Sequence, residues 1–303
     1  MVLPSHPRQN ALVAVAILAL AASTPARTTR ADDPGSHERP SPGTLFQWSY
    51  GSGDSAGPDL DEPLVTDRPD FTESSVTVGR GVTQLEMGYT FVHDREPGAS
   101  LDGHAFPDLL VRQGLLAEWL ELRVGWTWLV ENETFGNVRE TRGRSSDLLV
   151  GFKLALTPQE GILPEMAMVP QMFIPVADDP VLGGGELLPG LNWIYAWDLS
   201  DRMYAAGSSQ LLRALDDATG RPYALYVQSW ACGYSVTERL GSYVEWFVFV
   251  PDGADEARTQ HYLNGGLTYL ISDNIQLDLR AGFGLSDAAD DFFAGPGLSI
   301  RFP

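Results

Sequence analysis

The chain has 303 residues, and its 40 Asp and Glu against 20 Lys and Arg give a formal net charge of -20. That sign excludes nucleic acid as a natural partner, because a phosphate backbone needs a basic face. Cys232 is the single cysteine, so neither an intramolecular disulfide nor a Cys-rich metal site can form.

In chain order, the first element is an export signal. Residues 1–10 carry Arg8 and no acid, residues 11–22 (ALVAVAILALAA) are wholly apolar, and small residues follow at Ser23, Thr24 and Ala26. This pattern predicts a secretory signal peptide over 1–26, with Ala31 as the alternative cleavage position. The apolar run is shorter than the roughly 20 residues that a spanning helix needs. Residues 27–63 are dense in Pro, Gly, Ser and Asp and predict a flexible linker. Every later apolar run is interrupted by Gly, Pro or a charge, so a membrane role must use strands.

From residue 83 the polarity alternates with a period of two. Thr83, Leu85, Met87, Tyr89 and Phe91 share one face; Gln84, Glu86, Gly88 and Thr90 share the other. The same code recurs over 120–130, 147–156, 191–199 and 275–285, and these five segments predict strands. Further strands are predicted over 106–115, 166–175, 202–210, 223–235, 242–250, 261–270 and 292–302, of which 166–175 is weakened by Pro170 and Pro175. The total is about twelve, an even number as bacterial barrels require. Links after even-numbered strands are short, as at 117–119, 200–201, 237–239 and 272–274, with the 157–165 link longer than this pattern. Links after odd-numbered strands are long and polar: 92–105, 131–146, 176–190, 211–222 and 251–260. Short turns on one rim and long loops on the other mark an outer-membrane barrel.

Alternation alone does not decide which face points inward, since a lipocalin-like barrel would put its apolar face inside. Three features favour apolar-out. Trp126, Trp128, Trp193, Trp197 and Trp246 stand on the apolar faces as interfacial girdles would, the polar faces carry Gly and charges of both signs, and about twelve strands enclose more than one row of side chains fills. The expected fold class is all-β: a transmembrane antiparallel up-and-down β-barrel over 64–303, located in the bacterial outer membrane. Its partners are then outer-membrane lipids, the barrel-insertion machinery acting through the C-terminal strand, and a small solute.

Candidate lumen-lining residues are Glu86, Arg112, Glu121, Arg123, Lys153, Glu245, Asp278 and Arg280. Such charges can form a selectivity constriction or charge ladders that brace the wall, and both readings stay open. His93, His104 and His261 have no metal-ligand spacing, and no serine shares a face with His261, so neither a metal, a cofactor nor an enzyme is expected. A lipid hydrolase and a structural barrel with a closed lumen are the alternatives to a channel.

The stretch LVTDRPDFTESS over 64–75, the following GRGVTQLEMGYTF, and RQGLLAEWLELRVG over 112–125 resemble the bacterial outer-membrane transporter-like family named for the meta-pathway of phenol degradation. The resemblance runs from about residue 64 to the C-terminus. It implies an outer-membrane barrel that takes up small compounds, aromatic ones among them, and it implies no catalytic residue. The chain ends on the expected aromatic, Phe302, followed by Pro303.

Residues 64–75 precede the first strand, alternate in charge at Asp67, Arg68, Asp70 and Glu73, and hold one aromatic, Phe71. Two placements are open: a plug in the lumen or an exposed periplasmic lead-in. As a plug, Arg68 is expected to meet Glu86 or Glu121, and Asp67 and Asp70 to meet Arg112 or Arg123. The acidic long loops, with Asp252, Asp255, Glu256, Asp287, Asp290 and Asp291, are expected to concentrate cations at the outer mouth.

Overall fold

In the computed structural model, the described residues are 43–48, 57–176, 185–216 and 219–303. The expected signal peptide, and the 27–42 and 49–56 portions of the expected linker, lie outside them.

Thirteen strands are described: β1 Thr83–Glu96, β2 Ala99–Gly114, β3 Leu120–Phe135, β4 Val138–Ser145, β5 Leu148–Thr157, β6 Glu165–Ile174, β7 Leu188–Ser200, β8 Met203–Leu215, β9 Pro222–Ser235, β10 Leu240–Asp252, β11 Gln260–Ser272, β12 Ile275–Gly284 and β13 Phe292–Phe302. Each pairs antiparallel with its neighbour, and β1 closes on β13 from Thr83 opposite Phe302 to His93 opposite Phe292. The first half of β3 pairs with β5 and its second half with β4, so β4 and β5 fill one wall position in tandem. The barrel therefore closes with twelve wall positions; among the described residues β4, which pairs with β3 alone, keeps one edge without a strand partner.

Burial settles which face points inward. Glu86, Arg112, Glu121, Arg123 and Lys153 are each 0% exposed, whereas Leu279 is 54%, Phe283 48% and Trp193 45% exposed. Charges inside and large apolar side chains outside is the reverse of a soluble protein and suits a lipid surround.

Two of the expected long loops are strand. Residues 92–105 and 131–146 continue β1, β2, β3 and β4 as two hairpins that turn at 97–98 and 136–137. On these extensions the outward residues are polar as well, as with His93, Arg95, Ser100 and Asp102, so the apolar code stops while the ladder continues. The 211–222 and 251–260 links likewise begin later than expected, because β8 runs to Leu215 and β10 to Asp252.

Part of the expected linker also has a fixed place. The N–H groups of Leu45 and Phe46 donate to the carbonyls of Ala155 and Leu156, at 2.8 and 2.7 Å, beside the short-turn rim.

Candidate functional site

Residues 64–78 enter the lumen from that same rim. The Leu64 N–H donates to Asp273 in the β11–β12 turn at 2.7 Å, and the Thr77 hydroxyl donates to the Glu118 carbonyl in the β2–β3 turn at 2.5 Å. Between these anchors the chain rises and returns, with Asp70, Phe71 and Thr72 at its deepest point.

A backbone without regular structure must satisfy its polar groups from elsewhere, and here the wall supplies the partners. Carboxylates accept from backbone N–H groups: Glu86 from Asp67 at 2.9 Å, Glu245 from Phe71 and Thr72 at 2.6 Å each, and Glu121 from Val78 at 2.9 Å. Cations donate to backbone carbonyls: Arg112 to Val65 and Val76 at 3.1 and 2.7 Å, and Arg280 to Pro69 at 3.1 Å. Most of the eight candidate lumen charges thus reach the segment, and Arg112 also pairs within the wall with Glu86 and Glu121.

Asp67 is the hub. It lies 3.4 Å from Arg112 of β2, pairs closely with Arg123 of β3, and accepts from Lys153 of β5 at 2.7 Å. Burial acts to raise its pKa, but the Arg112, Arg123 and Lys153 charges outweigh this and hold it well below the usual carboxylate range. Glu73 takes a further bond from Arg123 at 2.7 Å and one from Asn192 at 3.2 Å.

Two expected pairings fall elsewhere. Arg68 meets Asp108 at 3.2 Å and Asp278 at 3.4 Å rather than Glu86 or Glu121, because Glu86 is engaged by the Asp67 N–H and by Arg112 at 3.1 Å. Asp70 meets neither Arg112 nor Arg123, since the chain has by then climbed past them to the level of Glu245. Both Asp70 oxygens are buried without a hydrogen-bond partner. Burial first, and the Glu245 charge next, push its pKa well above the usual range.

Beyond the charged layer the lumen turns aromatic. The Phe71 ring stacks on Phe247 at 4.6 Å and meets Phe249 edge-on at 5.5 Å; Phe247 stacks in turn on Tyr262 at 4.9 Å, and Phe293 lies 6.2 Å from Phe247. Val92, Leu129, Leu212 and Leu225 join the same buried cluster. Sequence reading missed this layer because it assigned apolar residues to the lipid face. The signal was present in β10, where Phe247 and Phe249 share the parity of the inward Glu245. Asp108 was missed too, although it shares the parity of Arg112 apart from the intervening Leu110.

The outer loops fold over this layer. Tyr262 donates to Asp290 at 3.2 Å and accepts from the Asp290 N–H, so Asp290 is buried and does not face the mouth as expected. Asp216 accepts from the N–H groups of Asp255 and Glu256 at 3.0 Å, tying the β8–β9 loop to the β10–β11 loop.

The three histidines among the described residues lie on the outer wall or rim. His93 Nδ1 contacts Asp102 at 2.7 Å, His104 Nδ1 contacts the Tyr89 hydroxyl at 2.7 Å, and the His261 ring lies over Trp246. His93 and His104 stand on strands rather than in a loop. Among the described residues, no group of His, Cys, Asp and Glu has the geometry to hold a metal.

Residues 66–302 match the family described as "Putative MetA-pathway of phenol degradation". The chain belongs to that family. No curated protein matches it. Among solved structures, an outer membrane channel from Pseudomonas putida F1 is similar at 12% identity and a TM-score of 0.58, over 74% of this chain and 96% of that one. The translocator domain of the autotransporter NalP from Neisseria meningitidis is similar at 11% identity and a TM-score of 0.50, over 74% of this chain and 89% of that one. Both likenesses are of fold, and the shared fold is that of an outer-membrane β-barrel.

Proposed function

We propose that this family member is an outer-membrane channel for small apolar or aromatic solutes, with residues 64–78 acting as its plug. The observation that carries the reading is the Phe71 ring stacked on Phe247 beneath Phe249, Tyr262 and Phe293. A phenyl group delivered by the plug fills a place that a planar aromatic solute fits by the same stacking, which contributes about 0.5–1.5 kcal/mol per pair beyond burial. A sugar entering that layer loses its water hydrogen bonds without replacement.

The test is initial uptake of radiolabelled p-cresol and of glucose by cells lacking or carrying the chain. The account expects a several-fold rise for p-cresol only, reduced by Phe247→Gln. An equal rise for both solutes, or for neither, contradicts it.

A second reading, a structural barrel with a closed lumen, is favoured by the depth at which wall charges hold the plug backbone. Single-channel recording separates the two, since a structural barrel shows no openings.

A further inference from the structure

The two outer hairpins sort their charges by face. In-register partners share a face, and successive strand residues alternate between faces. The inward row carries Asp94, Glu96, Glu131, Glu133 and Glu140, with Arg142 and Arg144 bound to Glu140 and Glu131. The outward face is the opposite. Arg95 stands opposite Ser100, Ser100 opposite Thr134, and Thr134 opposite Arg139, making a straight row of two hydroxyls flanked by two guanidiniums. The next row down is His93, Asp102, Asn132 and Thr141, in which Asp102 engages His93 Nδ1 at 2.7 Å and Thr141 donates to Asn132 at 2.8 Å.

In a chain with twice as many acids as bases, the acid in the row below these guanidiniums is Asp102, which His93 engages, and Asp291 accepts from the Arg95 backbone N–H at 3.1 Å rather than from its guanidinium. Among the described residues neither side chain makes an ion pair or hydrogen bond. A groove of about 580 Å³ opens at this row, lined by His93, Arg95, Ser100 and Thr134 and, at the hairpin tip, by Glu96; Arg139 stands next to Thr134 on β4, beside the groove. Directly below, Phe91, Phe106 and Trp128 stand on the same outward face, and Trp128 and Phe106 are exposed. Aromatic side chains of this kind mark the edge of the hydrocarbon zone. Arg95 lies four residues beyond Phe91, about 13 Å along the strand and roughly 10 Å higher after strand tilt. That height is the headgroup layer of the outer leaflet.

We propose that the outward row Arg95, Ser100, Thr134 and Arg139 is a binding site for the phosphate of a phosphorylated outer-leaflet glycolipid. The two guanidiniums supply charge-assisted donors from either side, the hydroxyls donate between them, and the aromatic belt below takes the acyl chains. The site rests on the orientation that puts the long-loop rim outside the cell, and it is independent of what passes through the lumen.

The test is native mass spectrometry of the full chain in detergent, titrated with bis-phosphorylated lipid A, with enzymatically dephosphorylated lipid A, and with inorganic phosphate. Wild type is expected to retain lipid A, and R95A/R139A to lose affinity by about tenfold or more, as removal of two charge-assisted bonds implies. The pair R202A/R239A, on exposed turns of the opposite rim, removes the same charge and is expected to leave binding unchanged. Equal retention of lipid A by R95A/R139A overturns the site. Equal binding of the dephosphorylated lipid overturns the phosphate chemistry, and inorganic phosphate binding as tightly as lipid A overturns the lipid as its source. A heat-dependent gel shift identical to wild type shows that each variant is folded.

Discussion

Arg112 on β2 and Arg123 on β3 stand directly opposite each other in the sheet register, and both guanidiniums point into the lumen with 0% exposure. Like charges in that relation destabilise a ladder. Lys153 from β5 adds a third cation next to them, opposite Glu121. Asp67, from outside the sheet, bridges all three, while Glu121 takes Arg112 in a two-pronged pair at 2.8 and 2.9 Å. The barrel wall is therefore electrostatically incomplete until the plug is in place.

Asp67→Asn removes the hub charge and leaves three buried cations with one counter-ion fewer. The expected cost is about 3–5 kcal/mol, the usual effect of breaking a buried ion pair from one side. It is read as a lower temperature for the heat-dependent gel shift, together with added channel openings. Adding Lys153→Met to Asp67→Asn should recover part of the loss, because one uncompensated charge goes too. A double variant no better than the single contradicts the shared network.

Arg68 lies in a slot formed by Gly88 and Gly297, which face each other across β1 and β13. A Cβ at Gly88 would overlap the Arg68 guanidinium, and one at Gly297 would overlap its Nε. Gly88→Ala should therefore unseat Arg68 from Asp108 and Asp278 at a cost of about 1–3 kcal/mol. In an Arg68→Ala background the same substitution should cost almost nothing. Additive effects of the two changes would show that the slot does not position Arg68.

The loop tie at Asp216 should depend on pH. Burial raises its pKa, but donation from the Glu256, Thr219 and Asp255 N–H groups and the Thr219 hydroxyl prevails and lowers it. A depressed folded-state pKa gives stability that is present above the unfolded value, near 4, and lost as pH falls through the folded value. Amide protection at Asp255 and Glu256 should thus be full at neutral pH and decline only in acid. Asp216→Asn should lower protection already at pH 7, and unchanged protection there would contradict the tie.

The strand code was legible because in the charged layer the inward residues differ in polarity from their outward neighbours, as with Glu121, Leu122, Arg123 and Val124. The hairpin extensions were not, since above the membrane both faces are polar and only the ladder marks a strand. The charged composition of Asp67, Arg68 and Glu73 pointed to wall charges as partners, and Asp67 meets the arginines expected for it. The partners of Arg68 depend on how far the chain climbs before Pro69, a depth no spacing encodes. The aromatic layer was hidden for a different reason: β10 is apolar on both faces, so polarity does not alternate there and only the parity shared with Glu245 marks Phe247 and Phe249 as inward.

The central claim is that the plug must move for solute to pass, and one cysteine pair tests it. The Thr72 hydroxyl lies 2.7 Å from the Ser229 hydroxyl of β9, deep in the lumen, while Cys232 is exposed on the outer wall. T72C/S229C in a C232S background should form a disulfide that locks the plug to the wall. Single-channel recordings of the oxidised protein should show no openings, and reduction should restore wild-type conductance. Equal conductance before and after reduction, with the disulfide shown to form, would contradict the account.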